Sequence, residues 1–195
     1  MTYSIIGSGN VGSALARQFA RGGIAVGVAN TRGPDTIETL EKELAGYVTA
    51  LTLQDAVNAD VVILAVPFSA HVDVARAAGQ WTDKIVVDAM NTYGVPPEAL
   101  KGQPSTLVVA SAFPGARVVK TFNQLPARLL AMNPVEQGGR RVMFVAGDET
   151  QATAVISKLV GDLGFAPIVL GTLAESGTSL DKGGALVLQN LIKQG

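Results

Sequence analysis

Short runs of apolar, β-branched residues recur along the chain, and most are followed by a stretch with helical spacing. Tyr3–Ile6 is the first run. A helix-period segment from about Asn10 to Ala20 follows and stops at Arg21-Gly22-Gly23, and Ile24–Ala29 is the second run. After Gly33-Pro34, Asp35–Leu44 predicts a helix ended by Gly46, with acidic residues in its early turns, where the helix dipole favours them. Tyr47–Ala50 predicts a short third strand. Thr52-Leu53-Gln54-Asp55 carries the capping-box pattern of a short helix, and Val61–Val66 is the continuous apolar run of a strand buried on both faces.

Ser69 predicts the cap of a helix running to about Ala78, and Lys84–Asp88 a fifth strand. Gly94–Gln103, rich in Pro and Gly, reads as loop. Pro104–Phe113 fits a helix or a strand. Ala116–Thr121 predicts a strand, Pro126–Ala131 a short helix and Asn133–Gly139 a loop. Arg141–Ala146 predicts a strand, Glu149–Leu163 an amphipathic helix and Pro167–Leu170 a strand. Leu173–Lys193 predicts a mostly helical end despite Gly183-Gly184, opened by the capping box Thr172-Leu173-Ala174-Glu175.

Strands that alternate with helices call for an α/β fold, because parallel strands need crossovers. The expectation is a Rossmann-type, doubly wound, mainly parallel sheet in a single domain with a small C-terminal extension. The core would span 1–121, and 122–195 would add further strands and a C-terminal helix. In such sheets ligands lie beyond the carboxyl ends of the strands. That draws attention to Gly7–Gly12, Asn30–Arg32, Pro67–Ser69, Ala89–Asn91 and Phe122–Ala127.

Composition narrows the chemistry. With 195 residues the chain fits one domain, and 48% hydrophobic against 16% charged residues argues for a packed core rather than disorder. The absence of cysteine removes disulfides and thiolate chemistry. A single histidine, His71, removes a multi-histidine metal site, so no metal is expected. A net charge of −1, with no basic cluster longer than Arg140-Arg141, gives no electrostatic case for nucleic acid. No apolar run approaches the ~18 residues of a spanning helix, and Met1-Thr2-Tyr3-Ser4 has no basic signal region, so a cytoplasmic protein with a small-molecule partner and no membrane contact is expected.

Gly7, Gly9 and Gly12 stand at the GxGxxG spacing directly after the first strand. Gly7 permits a sharp turn, Gly9 lets backbone approach a pyrophosphate, and Gly12 lets the helix lie close to the strand. A helix begins near Asn10, and the amides at its start would point at the anion. A bare strand-to-helix turn uses the same residues. The end of the second strand bears on which dinucleotide is held, since an NAD site places Asp or Glu there. This chain has Ala29-Asn30-Thr31-Arg32-Gly33 instead. The Thr31 hydroxyl and the Arg32 guanidinium suit a 2′-phosphate, so NADP is expected. Arg32 otherwise serves as a solvated residue before a Gly-Pro turn.

Pro67 and Phe68 fall where the nicotinamide end of such a cofactor would lie, and Phe68 either shapes the ring's pocket or caps the core. His71, in the first turn of the next helix, reads as structural or solvent-facing rather than as a proton donor. Asp88 holds a polar loop or contacts a ligand. Asn123 and Gln124 follow a strand and precede a short helix, which suits either substrate contact or loop structuring.

With those residues placed, the chain resembles the F420-dependent NADP oxidoreductases, a family that also resembles the NADPH-binding domain of the STEAP metalloreductases. The resemblance lies in "IIGSGNVGSALA", "NTR", "DVVILAVPF", "ARVVKTFNQLPARLL", "RRVMFVAGDE" and "LGFAPIVLGTLAES", in that order over nearly the whole chain. It implies a dimeric NADPH-binding reductase. The cofactor would touch Ser8 to Val11, Thr31 and Arg32, the Val66-Pro67 turn and Ala127, and a deazaflavin would lie near Asn123, Pro126 and the last helix. Hydride transfer between a nicotinamide and F420 or a flavin is done by the two cofactors, so no acid–base pair is needed and no catalytic residue is assigned. The expected function is an NADPH-dependent oxidoreductase with a planar acceptor. The alternative is an NADP-binding redox-sensing module without turnover.

Overall fold

The computed structural model describes residues 1–195. Six strands pair in parallel in the order β6-β5-β4-β1-β2-β3: β1 (Tyr3–Ile6), β2 (Val26–Ala29), β3 (Val48–Ala50), β4 (Val61–Leu64), β5 (Ile85–Asp88) and β6 (Arg117–Lys120). After a two-residue strand β7 (Val135–Glu136), β8 (Gly139–Gly147) joins the β6 edge antiparallel. β9 (Ala166–Gly171) lies along the other side of β8, parallel to it. The result is a Rossmann-type, doubly wound, mainly parallel sheet.

Alternate residues of each central strand feed the two sides, as the period of two requires. Ile5, Ile63, Val87 and Val119 face one apolar layer, with α1 (Asn10–Arg21) and α7 (Thr150–Asp162) packed over it. Ile6, Leu64, Val86 and Val118 face the other. That side is covered by α4 (His71–Ala77), α5 (Ser105–Ala112) and α8 (Leu173–Leu180). Burial on both faces explains why these strands read as continuous apolar runs. Three short helices, α2 (Glu38–Glu43), α3 (Leu53–Ala56) and α6 (Ala127–Leu130), complete the set. No helix is long and apolar enough to cross a membrane.

Helix starts follow local chemistry. The Thr52 side chain accepts from the Asp55 amide, and Thr172 and Glu175 form a full capping box on α8. Glu149 accepts from the Gln151 and Ala152 amides, bonds that hold its carboxyl below the ordinary range. Where expectation and structure differ, tertiary contacts are the cause. The predicted helix Leu173–Lys193 stops at Leu180, because the Asp181 carboxylate turns to accept from the Ser105 amide at 3.0 Å and from the Ser105 hydroxyl, capping α5 from a distance. The chain then turns through Gly183-Gly184 and returns as a two-residue strand, β10 (Ile192–Lys193), which pairs with Arg140 and Arg141. Within the predicted loop Asn133–Gly139, β7 forms by pairing with the other side of Arg140. The second strand begins at Val26, since the Ile24 amide is bonded to the Phe19 carbonyl at the end of α1. Pro104–Phe113 resolves as the helix α5.

One side chain completes the sheet. β6 pairs with β8 only at Gly147 and Ala146, and β10 begins lower down, leaving a gap. The Gln124 carboxamide fills it by accepting from the Phe144 amide at 2.7 Å and donating to the Val142 carbonyl at 3.2 Å. Those are the bonds a neighbouring peptide unit would make. The Gln124 backbone carbonyl meanwhile receives the Leu188 amide at 2.7 Å, tying down the C-terminal segment.

Candidate functional site

The carboxyl ends of β1, β2 and β4 meet in a cavity of about 350 Å³. Gly7, Ser8 and Gly9 line it together with Thr31, Arg32, Val66 and Pro67, and Asp73 also borders it. The turn depends on its glycines in three different ways. Gly7 has φ +116°, and a Cβ there would lie 2.2 Å from the Ala65 carbonyl oxygen. At Gly12 a Cβ would lie 1.7 Å from the carbonyl oxygen of Gly7, so α1 packs against its own turn. Gly9 has nothing within 4 Å of the corresponding point, so its missing side chain leaves space in front of the helix start.

That start is uncapped. Gly9 is the N-cap residue, no side chain caps the helix and its first turn holds no acidic residue. An α-helix leaves its first amides without intrahelical partners and carries partial positive charge at that end. The Arg32 guanidinium, on the exposed rim, forms no ion pair within the protein. Asn30 links the glycine turn to the segment after β2: its amide donates to Ser8 Oγ at 2.7 Å and to Thr36 Oγ1 at 2.9 Å, and its Oδ1 accepts from the Arg32 amide at 2.8 Å. No carboxylate closes β2. The combination of uncapped amides, an open Gly9 and a free cation fits a dinucleotide whose ribose carries a second phosphate.

Other predicted residues lie elsewhere. Asn10 and Ala127 line a separate cavity of about 480 Å³ between α1 and α6, with Ser13, Arg17 and Arg128. Arg17 is held there by a two-pronged bond to Glu43, at 2.9 and 2.7 Å, which lowers the Glu43 pKa. Gly12 is buried behind the turn and Val11 half-buried on α1, and neither borders the first cavity. Phe68 is 6% exposed and tilts against the His71 ring at 4.9 Å, inside the apolar layer. His71 is buried with Nδ1 against the Phe68 carbonyl, a structural placement. Pro126 is exposed at the start of α6.

Asn123 is 4% exposed, and its amide donates to the Leu180 carbonyl at 2.6 Å and to Asn91 Oδ1 at 3.1 Å. Asn91 in turn donates to the Asn123 carbonyl at 2.8 Å, so the loops after β5 and β6 are stitched together. Asn123 Oδ1 is buried without a partner. Beneath that stitch Lys120 and Asp88 form an ion pair at 3.0 Å, 1% and 0% exposed. Lys120 also donates to the Met90 carbonyl at 2.7 Å, and Asp88 Oδ1 accepts from the Met90 amide at 2.9 Å. Sequence reasoning missed Lys120, and it singled out Asn30 and Asn91 only as parts of loops beyond the strand ends, without a role for either. The signal for the first was an acid and a base closing consecutive strands; for Asn30 it was an Asn two positions before Arg32, the spacing of an Asx turn.

A family model described as NADP oxidoreductase, coenzyme F420-dependent, matches residues 2–92. A hypothetical protein of known structure, SMa0349 from Sinorhizobium meliloti, is 44% identical with a TM-score of 0.96, covering 100% of this chain and 96% of that one. The structure of a putative F420-dependent NADP reductase from Arthrobacter is 27% identical with a TM-score of 0.76, covering 92% of this chain and 89% of that one. The rat metalloreductase STEAP3 is 32% identical over 175 residues, 88% of this chain. The chain spans about a third of the length of the curated metalloreductase relatives it matches.

Proposed function

We propose, given that this chain belongs to the family of F420-dependent NADP oxidoreductases, that it binds NADP(H) and transfers hydride between that cofactor and a planar acceptor such as F420 or a flavin. The observation that carries the reading is the single cavity shared by the uncapped start of α1 and the Thr31–Arg32 corner, with no carboxylate at the end of β2. Gly7, Ser8, Gly9, Asn10, Val11 and Gly12 are proposed for the pyrophosphate turn, Thr31 and Arg32 for the 2′-phosphate, and Val66, Pro67 and Ala127 for the remainder of the cofactor. When bound, NADPH supplies a hydride from C4 of its dihydronicotinamide.

The protein's part is to bind, align and exclude water. Phe68, Asn123 and Pro126 are proposed for the acceptor side. Phe68 and Asn123 are buried, so they act by holding the walls: Phe68 from the apolar layer, Asn123 through its bonds to Asn91 and Leu180. The Lys120–Asp88 pair fixes Met90 beneath them.

Two measurements test the reading. Arg32→Ala is expected to weaken NADPH about tenfold to a hundredfold, the range for a charge-assisted phosphate bond, and to leave NADH nearly unchanged. An unchanged NADPH-to-NADH ratio makes the phosphate assignment wrong. A screen of F420, FMN, FAD and ferric complexes, followed by loss of NADPH absorbance, is expected to show turnover with at least one acceptor. Tight NADPH binding with no oxidation by any of them identifies a redox-sensing module instead.

A further inference from the structure

We propose that Tyr93 and Lys182 form the recognition platform for the acceptor, the aromatic ring taking the face of a planar molecule and the ammonium its anionic substituent; the inference rests on the hydride-transfer reading above. Tyr93 is 63% exposed, and the Lys182 ammonium stands 5.3 Å from its ring centroid. Lys182 has no carboxylate within ion-pair distance, and the ring is its one polar contact. An exposed cation–π contact is weak, so a ligand displaces it at small cost.

The fold presents both side chains in the same way. Thr92–Val95 is a four-residue turn closed by the Val95 amide on the Thr92 carbonyl at 3.2 Å, with Gly94 at φ +76°. Asp181–Gly184 is closed by the Gly184 amide on the Asp181 carbonyl at 2.7 Å, with Gly183 at φ +86°. Tyr93 and Lys182 each hold the second position, and a glycine supplies the positive φ at the third. Buried polar groups anchor both turns. Asn91 is tied to Asn123, whose amide also donates to the Leu180 carbonyl just ahead of the second turn, and Asp181 is bonded to Ser105. The supports are fixed while the two side chains they carry stay in solvent.

Their place in the sheet suits an acceptor. Thr31 and Arg32 follow β2, so the adenosine half of a dinucleotide falls on that side of β1 and the nicotinamide half on the side of β4, β5 and β6. β4 runs on into Val66-Pro67, and its neighbour β5 runs on into the loop that carries Tyr93; the Ala89 amide bonds the Leu64 carbonyl between them at 3.2 Å. The Tyr93 ring offers an apolar face for stacking. Lys182, a compact charge on a flexible four-carbon stem, swings from that ring to a phosphate or carboxylate carried by the stacked molecule. The acceptor class this selects is a planar ring with an anionic tail rather than the neutral ring alone.

The experiment compares each ring with and without its phosphate-bearing tail, FMN against riboflavin and F420 against its phosphate-free deazaflavin, in NADPH-driven kinetics of the wild type, Lys182→Met, Tyr93→Leu and Tyr93→Phe. The wild type is expected to favour the phosphate-bearing member of a pair through KM. Lys182→Met is expected to raise that KM roughly threefold to tenfold and to leave kcat and the neutral ring unchanged. Tyr93→Leu is expected to raise KM for both members alike, again roughly threefold to tenfold, and Tyr93→Phe to restore it. The Kd for NADPH is expected to be the same in all four proteins. No NADPH oxidation by either pair overturns the planar-acceptor reading and this inference with it. A wild type that turns over without distinguishing the members of a pair, or a Lys182→Met protein that keeps the wild-type preference, overturns the inference alone. So does a Lys182→Met protein with weakened NADPH, since Lys182 then serves the dinucleotide.

Discussion

Gly12→Ala is expected to lower thermal stability and dinucleotide affinity together, whereas Gly9→Ala lowers affinity alone. The added methyl at residue 12 would sit 1.7 Å from the Gly7 carbonyl oxygen, and both atoms belong to backbone that cannot rotate away. Relief requires α1 to lift off its turn, which disturbs Ala14, Leu15 and Phe19, all buried on that helix. Overpacking of this kind costs about 3 kcal/mol or more, at the upper end of the usual range. For a domain of this size that lowers Tm by roughly 6–12 °C. The same lift withdraws the first-turn amides from the phosphate position, so affinity falls with it. At residue 9 the methyl meets nothing, and the backbone there has a φ of −76° that any residue adopts. Thermal melts and NADPH titrations on the two variants separate the effects. A Gly12→Ala protein with wild-type Tm would show that the turn has room the geometry denies.

Lys120→Met is expected to be the second large loss. It leaves the Asp88 carboxylate 0% exposed with no cation opposite, and it strips the Met90 carbonyl of its donor. An uncompensated buried charge costs about 3–5 kcal/mol. Asp88→Asn is expected to fall in the same range by stranding the Lys120 ammonium. The double variant should recover much of the loss, because Asn still offers an oxygen to the Met90 amide and no charge remains buried. Urea midpoints of the four proteins give the coupling directly. Single variants within about 1 kcal/mol of wild type would mean that water or a side-chain shift neutralises the site. Turnover is a second readout, since Met90 precedes Asn91 and the Asn91–Asn123 stitch holds the loops proposed for the acceptor side.

What could be read in the sequence was local. Gly7 and Gly12, directly after the strand end and five residues further on, announce a turn because only glycine tolerates the contacts there. Thr52 and Thr172 announce helix starts because the partner of each lies three residues away. Apolar runs such as Val61–Leu64 announce buried parallel strands because burial on both faces leaves no polar alternation along the run. The misreadings are long-range. Helical spacing continues past Leu180, yet Asp181 is drawn away to cap a helix that begins 76 residues earlier in the chain. Val135 and Glu136 look like loop until Arg140 supplies a partner. Lys120 looks like an exposed residue at a strand end, and only the neighbouring strand shows that its charge is buried against Asp88. In the site, the glycine turn and the Thr31–Arg32 corner share one cavity because their strands are adjacent, while Asn10 and Ala127 border another. No spacing rule along the chain distinguishes those two cases.

The carboxamide of Gln124 has a consequence for how such a fold can change. Because a side chain rather than a strand residue completes the ladder along Phe144 and Val142, the backbone is released from the sheet at Thr121 without leaving β8 unsatisfied. The released stretch is pinned again where the Pro134 carbonyl receives the Arg141 amide at 2.7 Å. Gln124 and Pro134 thus act as splice points. A segment of different length or shape grafted between them could recognise a different acceptor, while the strands that carry the dinucleotide turn keep their register.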